Sequence, residues 1–227
     1  MSTTVGVVFV KICGVTNEDD ALLAVALGAD AVGFVFAPSP RQMVPRKVYD
    51  ITRRLPPETL TVGVFRDEHP QRVIEMTHAA GLKAAQLHGH ETPSDVAEVA
   101  AHVRTVIKAV SAGSADVGNA RNFPASLMLL DAPAPGSGKV FDWKLAGEMP
   151  DGVRFLLAGG LTCENVTNGI TIVRPWGVDV SSGVEASPGR KDPVLLRRFI
   201  EAAKSAEAQD PMEMSEDSAR PYDWMDE

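Results

Sequence analysis

The sequence predicts an α/β protein: a single (β/α)8 TIM barrel over residues 1–204, followed by an acidic C-terminal tail over 205–227. Three observations carry this prediction. Short β-branched apolar runs alternate with segments whose apolar residues recur at helical spacing, without a break from Val5 to Ala203. The strand-like runs are near-continuously apolar, as parallel strands covered on both faces require. Eight such runs, in units of about 25 residues, match a closed barrel at its compact end. Alternation alone also admits an open doubly wound sheet, and the number of units favours closure.

The first strand is expected over Gly6–Cys13 and the helix after it over Asp19–Leu27, stopped by Gly28 in the left-handed position that follows a helix. Strand two spans Ala31–Phe36, with a helix over Arg46–Leu55. Strand three spans Thr61–Phe65, with a helix over Pro70–Ala80 that ends at Gly81. Strand four is Ala84–Leu87, with a helix over Pro93–Val103. Strand five, Thr105–Val110, precedes a segment without a helical signature. Strand six is Ser126–Leu130, and a weaker helical stretch lies near Trp143–Glu148. Strand seven, Arg154–Ala158, leads to a helix over Cys163–Val173 with Thr162 as its N-cap. Strand eight is Gly177–Val180, and the last helix, Pro193–Ala206, has Asp192 as N-cap and Pro193 in its first turn.

Composition narrows the functional classes. The 227 residues are 44% apolar, enough for one sizeable core. No basic start leads into an apolar segment and cleavage site, and no uncharged apolar run approaches the roughly 20 residues of a membrane helix. A soluble cytoplasmic protein is expected. Cys13 and Cys163 lie far apart with no zinc-type spacing, so neither a disulfide framework nor a metal site is indicated. The net charge is -8, and the tail holds eight acids against Arg220 alone, leaving about -1 for the rest. Without a basic face, nucleic acid and anionic membranes are not expected partners. The tail has no periodicity and reads as solvated, although Tyr222 and Trp224 offer docking groups.

In a barrel, chemistry belongs where strands end and βα loops begin. Strand one ends in Lys11-Ile12-Cys13-Gly14, strand two runs into Ser39-Pro40-Arg41, and strand four ends in Gln86-Leu87-His88-Gly89. Strand six ends at Asp131, strand seven at Gly159-Gly160, and strand eight at Asp179-Val180-Ser181-Ser182-Gly183. Small residues with free backbone N–H groups after strands seven and eight suit a phosphate. The alternative is that these glycines only turn the chain.

Pro135–Val140 ends in Gly-Lys but lacks the rest of a phosphate loop, and Gly28–Gly33 is not a dinucleotide fingerprint. Cys13 is either a small buried hydrophobe or a thiol that a nearby cation makes reactive. Asp131 is either a turn carboxylate or a carboxyl group raised by partial burial into a general acid. Lys11, two residues before Cys13, points to the same side of the strand. A base and an acid at one mouth suggest isomerisation. A metal-dependent epimerase would need clustered ligands, and only His88 qualifies at a strand end. A silent phosphate-ligand sensor using the tail is the rival from a different class. Cys163 has no motif that claims it and is expected to be incidental.

The motifs above, together with Gly33-Phe34-Val35-Phe36, Val62-Gly63-Val64-Phe65, Gly136-Ser137-Gly138-Lys139 and Phe141-Asp142-Trp143, resemble the phosphoribosylanthranilate isomerases of tryptophan biosynthesis, from about Val10 to Lys204. The resemblance implies an Amadori rearrangement of N-(5-phosphoribosyl)anthranilate without metal or organic cofactor. It implies Asp131 as general acid and Cys13 as general base. Arg41 would then pair with the anthranilate carboxylate, His88 and Asp179 would line the pocket, and Gly159, Gly160, Ser182 and Gly183 would hold the phosphate. The expected partner is this small-molecule phosphosugar, and the chain is expected to act as a monomer or weak homodimer. Two departures from the family pattern stand out: a slightly short stretch between Phe36 and Ser39, and Pro135 where a glycine is usual.

Overall fold

A computed structural model describes residues 8–132 and 143–206. Its centre is a closed, all-parallel barrel of eight strands in chain order: β1 (Phe9–Ile12), β2 (Ala31–Val35), β3 (Leu60–Phe65), β4 (Ala84–Leu87), β5 (Thr105–Ser111), β6 (Leu127–Asp131), β7 (Phe155–Leu157) and β8 (Gly177–Val180). The barrel closes where β8 pairs with β1, from Phe9 opposite Gly177 to Ile12 opposite Val180. All eight strands expected from the sequence are present, and the open sheet is excluded.

The two-residue period of a strand sorts side chains between two cores. On β1, Val10 and Ile12 pack outward under the helices, whereas Phe9 turns inward. The inner core is a plug of Phe9, Leu60, Val62, Ile107, Leu127, Leu129 and Leu156 among alanines. Phe9 stacks on Trp176 with ring centroids 4.6 Å apart. Each fully buried leucine of this plug contributes about 1.5–3 kcal/mol relative to exposure. Above the plug the inward positions change character to Lys11, Gln86, Asp131 and Asp179, all buried.

The helices are α1 (Glu18–Ala26), α2 (Pro45–Thr52), α3 (Pro70–Ala79), α4 (Pro93–Ala100), α5 (Ala115–Gly118), α6 (Val166–Val173) and α7 (Pro193–Ser205). Asp192 caps α7 by accepting the N–H groups of Val194 and Leu195, as expected. Gly28 and Gly81 take the predicted left-handed conformation after α1 and α3. Thr162 does not cap α6. Asn165 Oδ1 takes the Thr162 N–H at 2.8 Å and its amide reaches Gly160 O at 3.0 Å, so a turn precedes the helix and Asn165 sits at its start.

After β5 the chain forms the single turn α5 and a 3-10 turn, Ala120–Asn122. Gly113, Ser114, Gly118 and Asn119 are poor helix formers, which hid this turn from periodicity. The stretch Trp143–Glu148 is 3-10 rather than α. A hairpin of β9 (Glu185–Ser187) and β10 (Arg190–Lys191) follows β8, unforeseen. Its Pro188-Gly189 turn, with Gly189 at φ +81°, is a recognisable turn dipeptide. The motif residues Gly136–Lys139 and Phe141-Asp142, Pro135, the first residues of the predicted strand one, and tail residues 207–227 lie outside the described residues.

Candidate active site

The register of β1 against β8 sets Lys11 opposite Asp179, and Lys11 Nζ donates to Asp179 Oδ1 at 2.7 Å. Lys11 has no exposed surface. Burial alone would lower its ammonium, but the Asp179 carboxylate outweighs burial and holds it above its ordinary value. One turn of strand further on, Cys13 faces the same way. A Cβ on Gly33 of β2 would stand 3.1 Å from Cys13 Sγ and 3.2 Å from Lys11 Nζ, so the missing side chain of Gly33 is what lets sulfur and ammonium meet. Burial pushes the Cys13 thiol up, and the pull of Lys11 and Lys191 in the other direction does not overcome it. Burial thus favours the protonated thiol. The cation beside Cys13 is present as expected, but burial outweighs it.

Asp131 ends β6 with its carboxyl group nearly enclosed. Its Oδ1 accepts the Ala132 N–H at 2.8 Å, and its Oδ2 lies 3.1 Å from His88 Nε2. His88 Nδ1 is held in turn 2.8 Å from Gln86 Nε2, two residues back on β4. Gly159 packs against this acid: a Cβ there would be 2.5 Å from Ala132 N and 2.9 Å from Asp131 Oδ1.

Arg41 leans over Gly14, where a Cβ would meet its Cδ at 2.5 Å. Its guanidinium forks onto Glu185, Nε to Oε1 at 2.8 Å and Nη2 to Oε2 at 2.6 Å. That uses two of the five guanidinium donors, which leaves donors for a ligand carboxylate. Lys191 lies beneath, donating to Glu185 Oε1 at 3.0 Å, to Cys13 O at 2.6 Å and to Ser181 O at 3.0 Å. Burial lowers Lys191 despite Glu185. Glu185 is held below its ordinary value because Arg41 and Lys191 together offset its burial.

The glycines after β7 adopt φ +83° at Gly159 and +71° at Gly160, conformations that side chains resist. The loop after β8 turns through Ser182–Val184 and touches the β7 loop so closely that a Cβ on Gly183 would sit 1.9 Å from Leu161 O. The β7 loop of Gly159 and Gly160 and the β8 loop of Ser182 and Gly183 therefore meet along a seam at Leu161.

The structure brings Cys13, Arg41 and Asp179 together around β1 and β8, and His88 with Asp131 across β4 and β6. Lys191, Glu185 and Gln86 escaped sequence reasoning as site residues. The hairpin dipeptide Pro188-Gly189 was the signal that would have folded Lys191 back toward the barrel mouth. Cys163 stands in the turn before α6 instead of in its first turn, and burial with the adjacent Glu164 raises its thiol.

Comparison with known proteins agrees with this geometry. A family model described as N-(5'phosphoribosyl)anthranilate (PRA) isomerase matches residues 10–202. An N-(5'-phosphoribosyl)anthranilate isomerase of Desulforudis audaxviator is 47% identical over 205 residues, covering 87% of this chain and 98% of the relative. The crystal structure of the phosphoribosyl anthranilate isomerase of Thermus thermophilus superposes with a TM-score of 0.81 at 40% identity, covering 86% of this chain and 97% of that one. A phosphoribosyl anthranilate isomerase in complex with reduced 1-(o-carboxyphenylamino)-1-deoxyribulose 5-phosphate is 42% identical, with a TM-score of 0.77 and coverage of 87% and 98%. With this coverage, and with the strand-end residues gathered at one mouth of a closed barrel, the chain belongs to the N-(5'-phosphoribosyl)anthranilate isomerase family.

Proposed function

We propose that this chain converts N-(5-phosphoribosyl)anthranilate to 1-(o-carboxyphenylamino)-1-deoxyribulose 5-phosphate in tryptophan biosynthesis, by acid-base chemistry of its own side chains. The observation that carries the reading is the delivery of a carboxyl group and a thiol, Asp131 from β6 and Cys13 from β1, to the C-terminal mouth of one barrel. Asp131 gives a proton to the furanose ring oxygen as the bond to C1′ breaks, leaving a cationic Schiff base. That new cation adds to Lys11 and Lys191, and together they draw off the proton that burial otherwise holds on Cys13, which leaves to solvent and gives the thiolate. The thiolate takes the C2′ proton, and the resulting enolamine tautomerises to the ketone.

Arg41 pairs its remaining donors with the anthranilate carboxylate while Glu185 holds its plane. Gly159, Gly160, Ser182 and Gly183 offer backbone N–H groups to the phosphate. His88 lines the pocket beside Asp131, and Asp179 acts through Lys11. The chain works as a cytoplasmic monomer or weak homodimer with the phosphosugar as its partner. The test is the loss of anthranilate-type fluorescence from substrate generated in situ. Wild type should turn over, and Cys13→Ala and Asp131→Asn should each lose about 10²-fold or more. No consumption by wild type rejects the activity; full rate in both variants rejects the acid-base pair.

A further inference from the structure

A buried amide stands behind the acid. Gln86 has no exposed surface, and among the described residues its Oε1 has no hydrogen-bond partner while its Nε2 faces His88 Nδ1. An amide nitrogen donates and cannot accept, so Nδ1 is the acceptor and the ring hydrogen sits on Nε2, which donates to Asp131 Oδ2. The same facing amide opposes a doubly protonated ring. Here Asp131 is the acceptor, the form it has after giving up its proton.

A general acid has to be recharged. Oδ1 is committed to the Ala132 N–H, so the new hydrogen belongs on Oδ2, where its O–H rests on Nε2 until the substrate oxygen takes it. Nε2 then has to be bare, with the ring hydrogen on Nδ1 and an acceptor facing it. Rotating the Gln86 amide by half a turn brings its unpartnered Oε1 to that place. A buried carbonyl oxygen without a partner calls for an explanation, and this second state supplies one.

We propose that Gln86 is a positioning residue whose amide orientation switches with the protonation of Asp131, so that a neutral His88 pairs with the acid in both of its states. In recharging, Asp131 takes the Nε2 hydrogen and Nδ1 takes one proton from solvent; after Asp131 has donated, Nδ1 releases a proton to solvent and Nε2 takes one up, so the ring stays neutral. The proposal rests on Asp131 being the acid.

The experiment is ¹⁵N NMR of the His88 ring in the ligand-free protein, with steady-state kinetics alongside. Wild type should show the Nε2–H tautomer. Asp131→Asn mimics the protonated acid by turning an NH2 toward Nε2, and should show the Nδ1–H tautomer. Gln86→Glu offers only acceptors to Nδ1, and should give a doubly protonated ring with kcat reduced about tenfold and KM within about twofold. The Nε2–H tautomer persisting in Asp131→Asn overturns the switch, as does a full kcat in Gln86→Glu once its ring is doubly protonated. Should Gln86→Glu fail to fold, the comparison of wild type with Asp131→Asn decides alone. Full activity in Asp131→Asn would instead sink the acid assignment, an outcome the spectra read separately.

Discussion

Removing Asp179 leaves a buried cation without its partner, which makes Asp179→Ala the most informative single perturbation. Lys11 has no exposed side-chain surface and Asp179 has 9%, with 2.7 Å between Nζ and Oδ1. At that separation two unit charges attract by about 6 kcal/mol at an effective dielectric constant near 20. Desolvation of both ions offsets much of this, so the pair adds little net stability. Breaking it is different, because the remaining ammonium keeps its desolvation cost. The expected loss is about 3–5 kcal/mol, or a melting point lower by on the order of 6–20 °C in a chain of this size.

Replacing both partners with apolar residues, Lys11→Met with Asp179→Leu, should recover most of that loss. The double variant should nevertheless be inactive, since the pull of Lys11 on the Cys13 proton goes with it. Urea unfolding of the two variants and wild type is the assay, with the slope checked for constancy. Asp179→Ala within about 1 kcal/mol of wild type, or a double variant as unstable as the single, refutes the argument.

Other outcomes follow from the same geometry. Gly183→Ala places a Cβ against Leu161 O, forces the β7 and β8 loops apart, and should raise KM about tenfold or more with folding retained; an unchanged KM would separate this seam from substrate binding. Glu185 lies below its ordinary value of 4.5, so its pairing stabilises the fold above that pH and the contribution is lost as pH falls through the lowered folded value. The melting-point gap between wild type and Glu185→Gln should therefore narrow on acidification from about pH 5 to 3, and a constant gap would contradict it. Both thiols are raised and Cys13 is the more buried, so a pulse of iodoacetamide read by mass spectrometry should modify Cys163 first. Cys13 reacting first would mean that its proton is already lost in the resting protein.

Strand order, the barrel and the strand-end residues could be read from the chain, because periodicity, glycine punctuation and the strand-end rule are local properties. Gly28, Gly81 and Asp192 behave as local chemistry dictates. Thr162 does not, since its Oγ1 takes the Glu164 N–H within the turn that precedes α6, and the helix starts only after Asn165. The short α5 was hidden because four residues are too few to show a period, and Gly118 with the flanking Gly113, Ser114 and Asn119 are poor helix formers. Sequence named Cys13, Asp131, Arg41, His88 and Asp179 as candidate site residues from their places at strand ends, but it contained no distances and no burial. The state of the Cys13 thiol depends on enclosure, on Lys11 and on Lys191, which is distant in the chain and reaches Cys13 only through the hairpin. Likewise Arg41 finds Glu185, and Gln86 finds His88, through packing and strand geometry. Residue type and order are enough to put reactive groups at one end of a barrel. Which charges face each other, and which group keeps its proton, depends on interatomic distance and exclusion of water, and those exist only once the barrel has closed.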